Sequence, residues 1–332
     1  EVYHANPKIV YVPDDPRLGI YQRDFGDQLG LFEERASGDQ RDAPYFGSPK
    51  SIVNTPKLLK NLYKDNDNRV DQESVLRALL LDMWLGDWDR HDDQWRWAEQ
   101  NHKGPGKTYQ PIPRDRDQVF YISEGVIPGI LGSSWAVPAM QGFNPEIKNV
   151  QGLWSFAAKY FDRSFMNELE REEWLSIATQ QQSSLTDGVI ESALSNWPEA
   201  IYSQHGASIK QKLQQRRNDY VKYAMEYYDI LAKEVEVVGS NKHEVFEVHR
   251  LDDEHTEVVV YKKTKGKKTD KVIYQRTFNN EETKELRLYG LEGNDEFIFD
   301  GDVKKSIKVR AIGGDDEDLF KDFSKVSGPG KK

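Results

Sequence analysis

The sequence contains no cysteine. Disulfides, thiolate catalysis and cysteine-based zinc sites are thereby excluded. It also lacks any apolar run of the ~18–20 residues that a membrane-spanning helix needs. The longest candidate, Ala78-Leu-Leu-Leu-Asp-Met-Trp-Leu85, is short and interrupted by Asp82. Positive charge is in deficit. The 46 Lys and Arg against 56 Asp and Glu give a formal net charge of −10, which argues against a general nucleic-acid binder. The chain starts at Glu1 with no initiator methionine and no signal peptide, and it reads as a processed or excised piece of something longer.

What is present suffices for two domains. At 332 residues with 37% hydrophobic content, the chain can build a core, and its 8 Trp, 16 Tyr and 14 Phe supply much of that core. The fold class expected is α+β. Residues 1–36 read as short strands: Ile9–Val12, Leu18–Phe25 and Leu29–Arg35, the last two joined by the Gly26-Asp27-Gln28 turn as a hairpin. Residues 37–234 read as mainly helical. Thr55-Pro56 is a helix start, with Thr as N-cap. Asp71 to Leu85 carries one apolar stripe of Val75, Leu76, Leu79, Leu80, Met83 and Trp84, ended by Gly86. Gln94–Ala98 and Tyr109–Ile112 read as strands, and Val119–Ile122 as a further extended piece. Residues 123–150 read as an ordered loop, and the segments 151–161, 164–184, 186–195 and 207–234 as helices. Tyr223, Tyr227 and Tyr228 are expected to face the core.

The pattern changes near Val235. Residues 235–323 alternate in strand fashion over Val235–Val238, Glu244–His249, Glu257–Lys262, Val272–Phe278, Glu285–Tyr289, Phe297–Phe299 and Ile307–Ile312. An antiparallel all-β domain is expected, with Lys262–Lys271 as a solvated basic hairpin tip. Residues 324–332 form a Gly/Pro/Lys-rich flexible tail.

One stretch concentrates chemistry. Leu85-Gly-Asp-Trp-Asp-Arg-His-Asp-Asp-Gln-Trp95 carries four carboxylates, an Arg, a His and a Gln directly after an apolar helix. Arg114-Asp115-Arg116-Asp117 follows, with Asp115 lying 26 residues after Asp89. A charge run alone is most simply a solvated loop. This one is flanked by Trp84, Trp88, Trp95 and Trp97, which anchor it. Phosphoryl transfer needs a base for the attacking hydroxyl and oxygen ligands for Mg²⁺ or Mn²⁺. Asp89, Gln94 and Asp115 are residues of those types. His91 is an alternative acid or base, or a structural His that orders the loop.

Asp89-Arg-His-Asp-Asp-Gln94 resembles the D-R-H-x-x-N loop of phosphoinositide lipid kinases and the D-R-H loop of secretory-pathway kinases. Pro113-Arg-Asp-Arg-Asp-Gln-Val-Phe120 resembles the D-x-D-x-x-F metal element of CotH-type atypical kinases, and Gly30-Leu-Phe-Glu-Glu34 resembles the strand that leads to their hinge. This resemblance spans roughly residues 9–234. It implies a kinase-like C-lobe with a partial N-lobe, and ATP as cofactor. It implies that Asp89 is the catalytic base, that Asp115 binds metal and phosphate, and that Asp117 is an alternative ligand. Gln94 departs from the pattern, since it stands where these families usually have Asn or an acid. A phosphate-binding lysine and its partner Glu are also missing from the pattern; Lys8 is the only early lysine. The chain further resembles the middle of large bacterial envelope proteins with a metallophosphoesterase region upstream and an outer-membrane β-barrel downstream. That implies a periplasmic or outer-membrane-associated location, with the barrel or another envelope protein as partner.

In the β region, Gly290-Leu-Glu-Gly-Asn-Asp-Glu-Phe297 and Gly313-Gly-Asp-Asp-Glu-Asp-Leu-Phe320 share G-x-x-x-x-D-x-F, 23 residues apart. They resemble calcium-binding glycine–aspartate repeats, with Asp295 and Asp318 as possible ligands, or they are plain acidic turns. Three function classes stay open. The chain is an atypical metal-dependent phosphotransferase, a catalytically inactive kinase-like scaffold, or an acidic metal-dependent phosphohydrolase using Asp87, Asp89 and Asp115.

Overall fold

The structure, a computed structural model, describes residues 3, 4, 7–100, 104–123, 141–154 and 161–328. The described residues form a mixed α+β structure with several open sheets and, among them, no closed barrel. Much of the loop expected over 123–150, the end of the helix expected over 151–161 and residues 329–332 lie outside the described residues.

The N-terminal hairpin is built differently from the sequence expectation. Strand β1 (Lys8–Val12) pairs antiparallel with β2 (Gln28–Phe32), whereas Pro16–Phe25 forms short helical turns. Pro16 fixes a helical φ, and Asp15 caps the turn by accepting from the Arg17 N–H at 2.8 Å. Local turn chemistry thus overrides the apolar alternation of Leu18–Phe25. The ribbon pairs with no other described strand, and Ile9, Val10, Tyr11, Leu29, Leu31 and Phe32 are exposed on it.

The central region holds a four-stranded sheet against a helical core. Strand β3 (Ile52–Asn54) runs into helix α1 (Thr55–Lys64). Its N-cap is Asn54, one residue before the expected Thr55, because the Asn54 side chain accepts from the Lys57 N–H. Strand β4 (Arg69–Val70) precedes α2 (Gln72–Leu85), which Asp71 caps and Gly86 ends in a left-handed conformation. Strands β5 (Trp95–Gln100) and β6 (Thr108–Pro113) complete the sheet in the order β3-β5-β6-β4. Residues 117–120 form turns instead of the expected extended piece. Helices α3 (Arg171–Ser184), α4 (Asp187–Leu194), α5 (Ala207–Asn218) and α6 (Tyr220–Leu231) pack around α2. The whole predicted stripe of α2 is buried, and so are Tyr223, Tyr227 and Tyr228. One apolar cluster runs from Leu58 to Ala232 and a second from Val235 to Ile307.

The β domain corrects the antiparallel expectation. Strands β7 (Glu234–Val238) and β8 (Glu244–Arg250) form a first rung, and β9 (His255–Thr264) and β10 (Lys267–Asn279) an antiparallel hairpin inserted after it. A second rung holds β11 (Glu285–Leu291), β12 (Glu296–Asp300) and β13 (Asp302–Val303). A third holds β14 (Lys308–Gly314), β15 (Leu319–Asp322) and β16 (Lys325–Val326). Equivalent strands stack in parallel, with sheet orders β14-β11-β7 and β10-β9-β8-β12-β15. The register is constant. Glu285 faces Lys308, Glu296 faces Leu319 and Asp302 faces Lys325, each an offset of 23 residues. Strand alternation has a period of two in either orientation, so it does not distinguish parallel from antiparallel pairing.

The repeat seen in the sequence is this rung, and it has a third copy. Gly239-Ser-Asn-Lys-His-Glu244-Val-Phe246 carries Glu where the others have Asp. Phe246, Phe297 and Phe320 stack with centroids 4.7 and 4.9 Å apart and planes within 14°. The acids form a second column. Asp295 Oδ1 accepts from the Glu244 N–H at 2.7 Å, and Asp318 Oδ1 from the Asp295 N–H at 3.0 Å. The glycine is there because a Cβ on Gly290 would lie 2.3 Å from Asp295 Oδ2.

The inserted hairpin is not merely solvated. Lys262 and Lys271 both pair with Asp67 of the helical region, the former at 2.7 Å. Tyr274 Oη and Arg276 donate to the Asn167 carbonyl, which fixes the two regions together.

Candidate functional site

The two acidic loops meet at the C-terminal end of α2. Arg216, itself buried, donates to the Met83 and Trp84 carbonyls and so satisfies the end of the helix. Beyond Gly86 the chain turns into residues 87–94. Arg90 is fully buried there and makes four contacts. Nε donates to Asp82 Oδ2 at 2.9 Å and Nη2 to Asp87 Oδ2 at 2.5 Å. Nη1 reaches the Gln94 carbonyl at 3.3 Å and the Arg114 carbonyl. Its guanidinium lies over Trp95, 5.5 Å from the ring centre. Arg116 Nε donates to the other Asp82 oxygen at 2.6 Å. Fully buried Arg90 and partly exposed Arg116 thus balance two carboxylates held out of water, and Arg90 bonds both loops. Burial pushes the Asp87 carboxyl up, against the pull of Arg90.

Asp89 sits on this clamp, half-buried. Burial is the largest cause of its raised proton affinity. His91 opposes the rise, and Asp117 and Asp115 add to it. The two loops therefore place Asp89 in the electrostatic field of both later aspartates. Asp115 is exposed and adopts φ +58°, a left-handed conformation that Asp tolerates better than most residues. Its N–H donates to Glu33 Oε2 at 3.2 Å, which brings the segment after β2 to the same place. Asp117 is also exposed.

The other expected site residues lie differently. His91 Nδ1 accepts from the Asp93 N–H at 3.3 Å and caps the short turn 92–94, a loop-ordering contact. Gln94 is 4% exposed, with a buried Oε1 that has no hydrogen-bond partner, whereas Asp115 faces solvent. Asp295 and Asp318 each commit an oxygen to a neighbouring rung's backbone. Among the described residues, no group of three or more His, Asp or Glu side chains is arranged to hold a metal ion. Asp89 and Asp115 are oxygen donors and suit Mg²⁺ or Mn²⁺ in kind, without forming a closed cage.

The sequence did not single out Asp82, Arg90, Arg116 or Arg216. A signal existed for Asp82, an acid on the apolar stretch of a helix, since a carboxylate so placed needs a buried counter-charge. A cleft lined by Asn66, Arg69, Gln72, Glu168 and Tyr274 separates the helical and β regions, and none of its lining belongs to either acidic loop. No helix of the described residues is long and apolar enough to cross a membrane. Comparison with protein-family models, curated proteins and solved structures finds no match.

Proposed function

We propose that the chain is a kinase-like, divalent-metal-dependent phosphotransferase module of the bacterial envelope. The reading is carried by one observation: buried Arg90 bonds both acidic loops, through Asp87 and the Gln94 carbonyl on one and the Arg114 carbonyl on the other, and so holds the loop of Asp89 beside that of Asp115 and Asp117. In this role Asp89 accepts the proton of the attacking hydroxyl, and its raised proton affinity makes it a stronger base than an ordinary carboxylate. Asp115, with Asp117 beside it, binds the metal that neutralises the nucleotide phosphates. Gln94 lies buried and takes no part, and His91 positions the loop. Envelope location and an outer-membrane barrel as neighbour belong to the same reading.

A calorimetric titration of the protein with ATP and Mn²⁺ tests it. Binding is expected for the wild type and its loss for Asp115→Asn, whereas Asp89→Asn should still bind and lose phosphate transfer. Intact binding by Asp115→Asn would end the proposal.

A second reading, an inactive kinase-like scaffold, is favoured by the β1–β2 ribbon. Its apolar side chains are exposed, and a two-stranded ribbon is marginal alone in water. Absence of nucleotide binding by the wild type would favour the scaffold. The phosphohydrolase reading loses Asp87, whose carboxylate is fully buried against Arg90.

A further inference from the structure

The four-stranded sheet has two unlike faces. Trp95 and Trp97 of β5 pack into the helical core. On the other face Ala36, Ala43 and Phe46, from the segment after β2, pack with Ile52, Ala98 and Ile112. Side chains alternate along a strand, so Arg96, two residues before Ala98, lies on this second face. Arg96 stands opposite Ile112 of β6. Arg114 comes two residues after Ile112 and continues the ladder, its N–H donating to the Gln94 carbonyl at 3.1 Å. The two arginines are therefore diagonal neighbours across the strand pair, a spacing that long side chains bridge. Arg35 joins them from the covering segment. Ala36, next to it, is buried with Ile112, and Glu33, two residues before it, accepts from the Asp115 N–H at 3.2 Å.

These three cations lack the counter-charges of their neighbours. Arg90 pairs with Asp82 and Asp87, and Arg116 with Asp82. Among the described residues, Arg35 and Arg114 form no ion pair, and Arg114 Nε is buried with no acceptor. Arg96 donates to the Asp93 and Trp95 carbonyls, and the one carboxylate beside it, exposed Asp93, is 3.9 Å away. Glu34, next to Arg35 in the chain, is taken by the Tyr45 hydroxyl. Burial and the positive charges of Arg114 and Arg35 hold the proton affinity of Arg96 below the usual guanidinium value, against the pull of Asp93. Like charges gathered in this way repel, and a buried donor without an acceptor is costly, so the cluster is completed by an anion.

We infer that Arg35, Arg96 and Arg114 bind a phosphate group, free or as a monoester, on the outer face of the four-stranded sheet. A tetrahedral dianion offers oxygens to all three guanidinium forks and more charge than a carboxylate does. It also gives Arg114 Nε its missing acceptor. The inference goes beyond the phosphotransferase reading, because the site needs neither metal nor nucleotide and makes no use of the Asp115 carboxylate.

Phosphorus-31 line widths of inorganic phosphate and of glycerol 3-phosphate, titrated with the full chain in metal-free buffer at constant ionic strength, test it. Saturable broadening is expected for both, and acetate should not reverse it. The tighter of the two tells whether the free ion or an ester is the ligand. Arg96→Gln and Arg114→Gln should each weaken binding by roughly tenfold or more. Arg35 is exposed, so Arg35→Gln leaves the fold intact, and it should weaken binding as well. Asp115→Asn should bind phosphate like the wild type, which separates this site from the metal. No saturable broadening, an affinity indifferent to all three arginine changes, or binding that requires Mn²⁺ and is lost in Asp115→Asn would each overturn the inference.

Discussion

Replacing Asp295 by Asn is expected to stabilise the protein at alkaline pH. Asp295 is 1% exposed, and its Oδ2 has no hydrogen-bond partner. Burial pushes its carboxyl up to about 7. Nearby Glu244 and Asp318 add to the rise, against the Glu244 N–H and Lys263. A carboxyl that holds its proton more tightly folded than unfolded stabilises the fold in acid. That stabilisation is fully present below the unfolded value near 4 and is lost as pH rises through about 7. At about 1.4 kcal/mol per tenfold change in proton affinity, the full loss is on the order of 4 kcal/mol, and relaxation and water entry reduce it to ~2–4 kcal/mol. Asn keeps the oxygen that accepts from the Glu244 N–H and never ionises. Wild type and Asp295→Asn should therefore unfold at similar urea concentrations near pH 4, with the variant ahead at pH 8. All eight tryptophans precede Pro198, so their fluorescence follows the helical region while far-ultraviolet circular dichroism also follows the β domain. A variant less stable than wild type at pH 8, or a gap independent of pH, would refute the reasoning.

Arg90→Met leaves Asp82 and Asp87 buried with their shared cation gone, and should cost about 3–5 kcal/mol in urea unfolding followed by tryptophan fluorescence. A loss below ~1 kcal/mol would remove the clamp from the account. Gly290→Ala sets a methyl group 2.3 Å from Asp295 Oδ2 and 2.4 Å from the Gly313 carbonyl, so a loss of about 1–3 kcal/mol is expected, and an unchanged melting temperature would contradict it. Phe297→Ala empties the middle of the three-ring stack and should cost about 3–5 kcal/mol by the same melting measurement; a cost near that of a surface change would show the stack to be incidental.

How far the sequence could be read depends on the kind of feature. Helix α2 was legible because its stripe, its Asp71 cap and its Gly86 stop agree with one another. The rung repeat was legible in two copies. The third stayed hidden because Glu244 replaces Asp and the β9–β10 hairpin separates it from the next copy by 51 residues. Parallel stacking was not legible, since alternation carries no direction. At the site, the acidic loops were visible as composition, but which charges go inside was not. Arg90 reads as one more loop charge until Asp82 and Asp87 are seen to bury it. Gln94 reads as a ligand from its place in the motif, and the fold buries it instead. Leu18–Phe25 alternates like a strand, yet Pro16 and Asp15 set a helical turn that outweighs this short apolar alternation.

The central claim is that Asp115, with Asp117 beside it, binds a metal together with nucleotide phosphates. Electron paramagnetic resonance of Mn²⁺ tests it most directly, because the free-ion signal falls as the ion is bound. With ATP present, the account predicts that the protein removes more of the free signal than ATP alone, and that Asp115→Asn abolishes the excess. Equal free Mn²⁺ with and without protein, or an excess that survives Asp115→Asn, would contradict it.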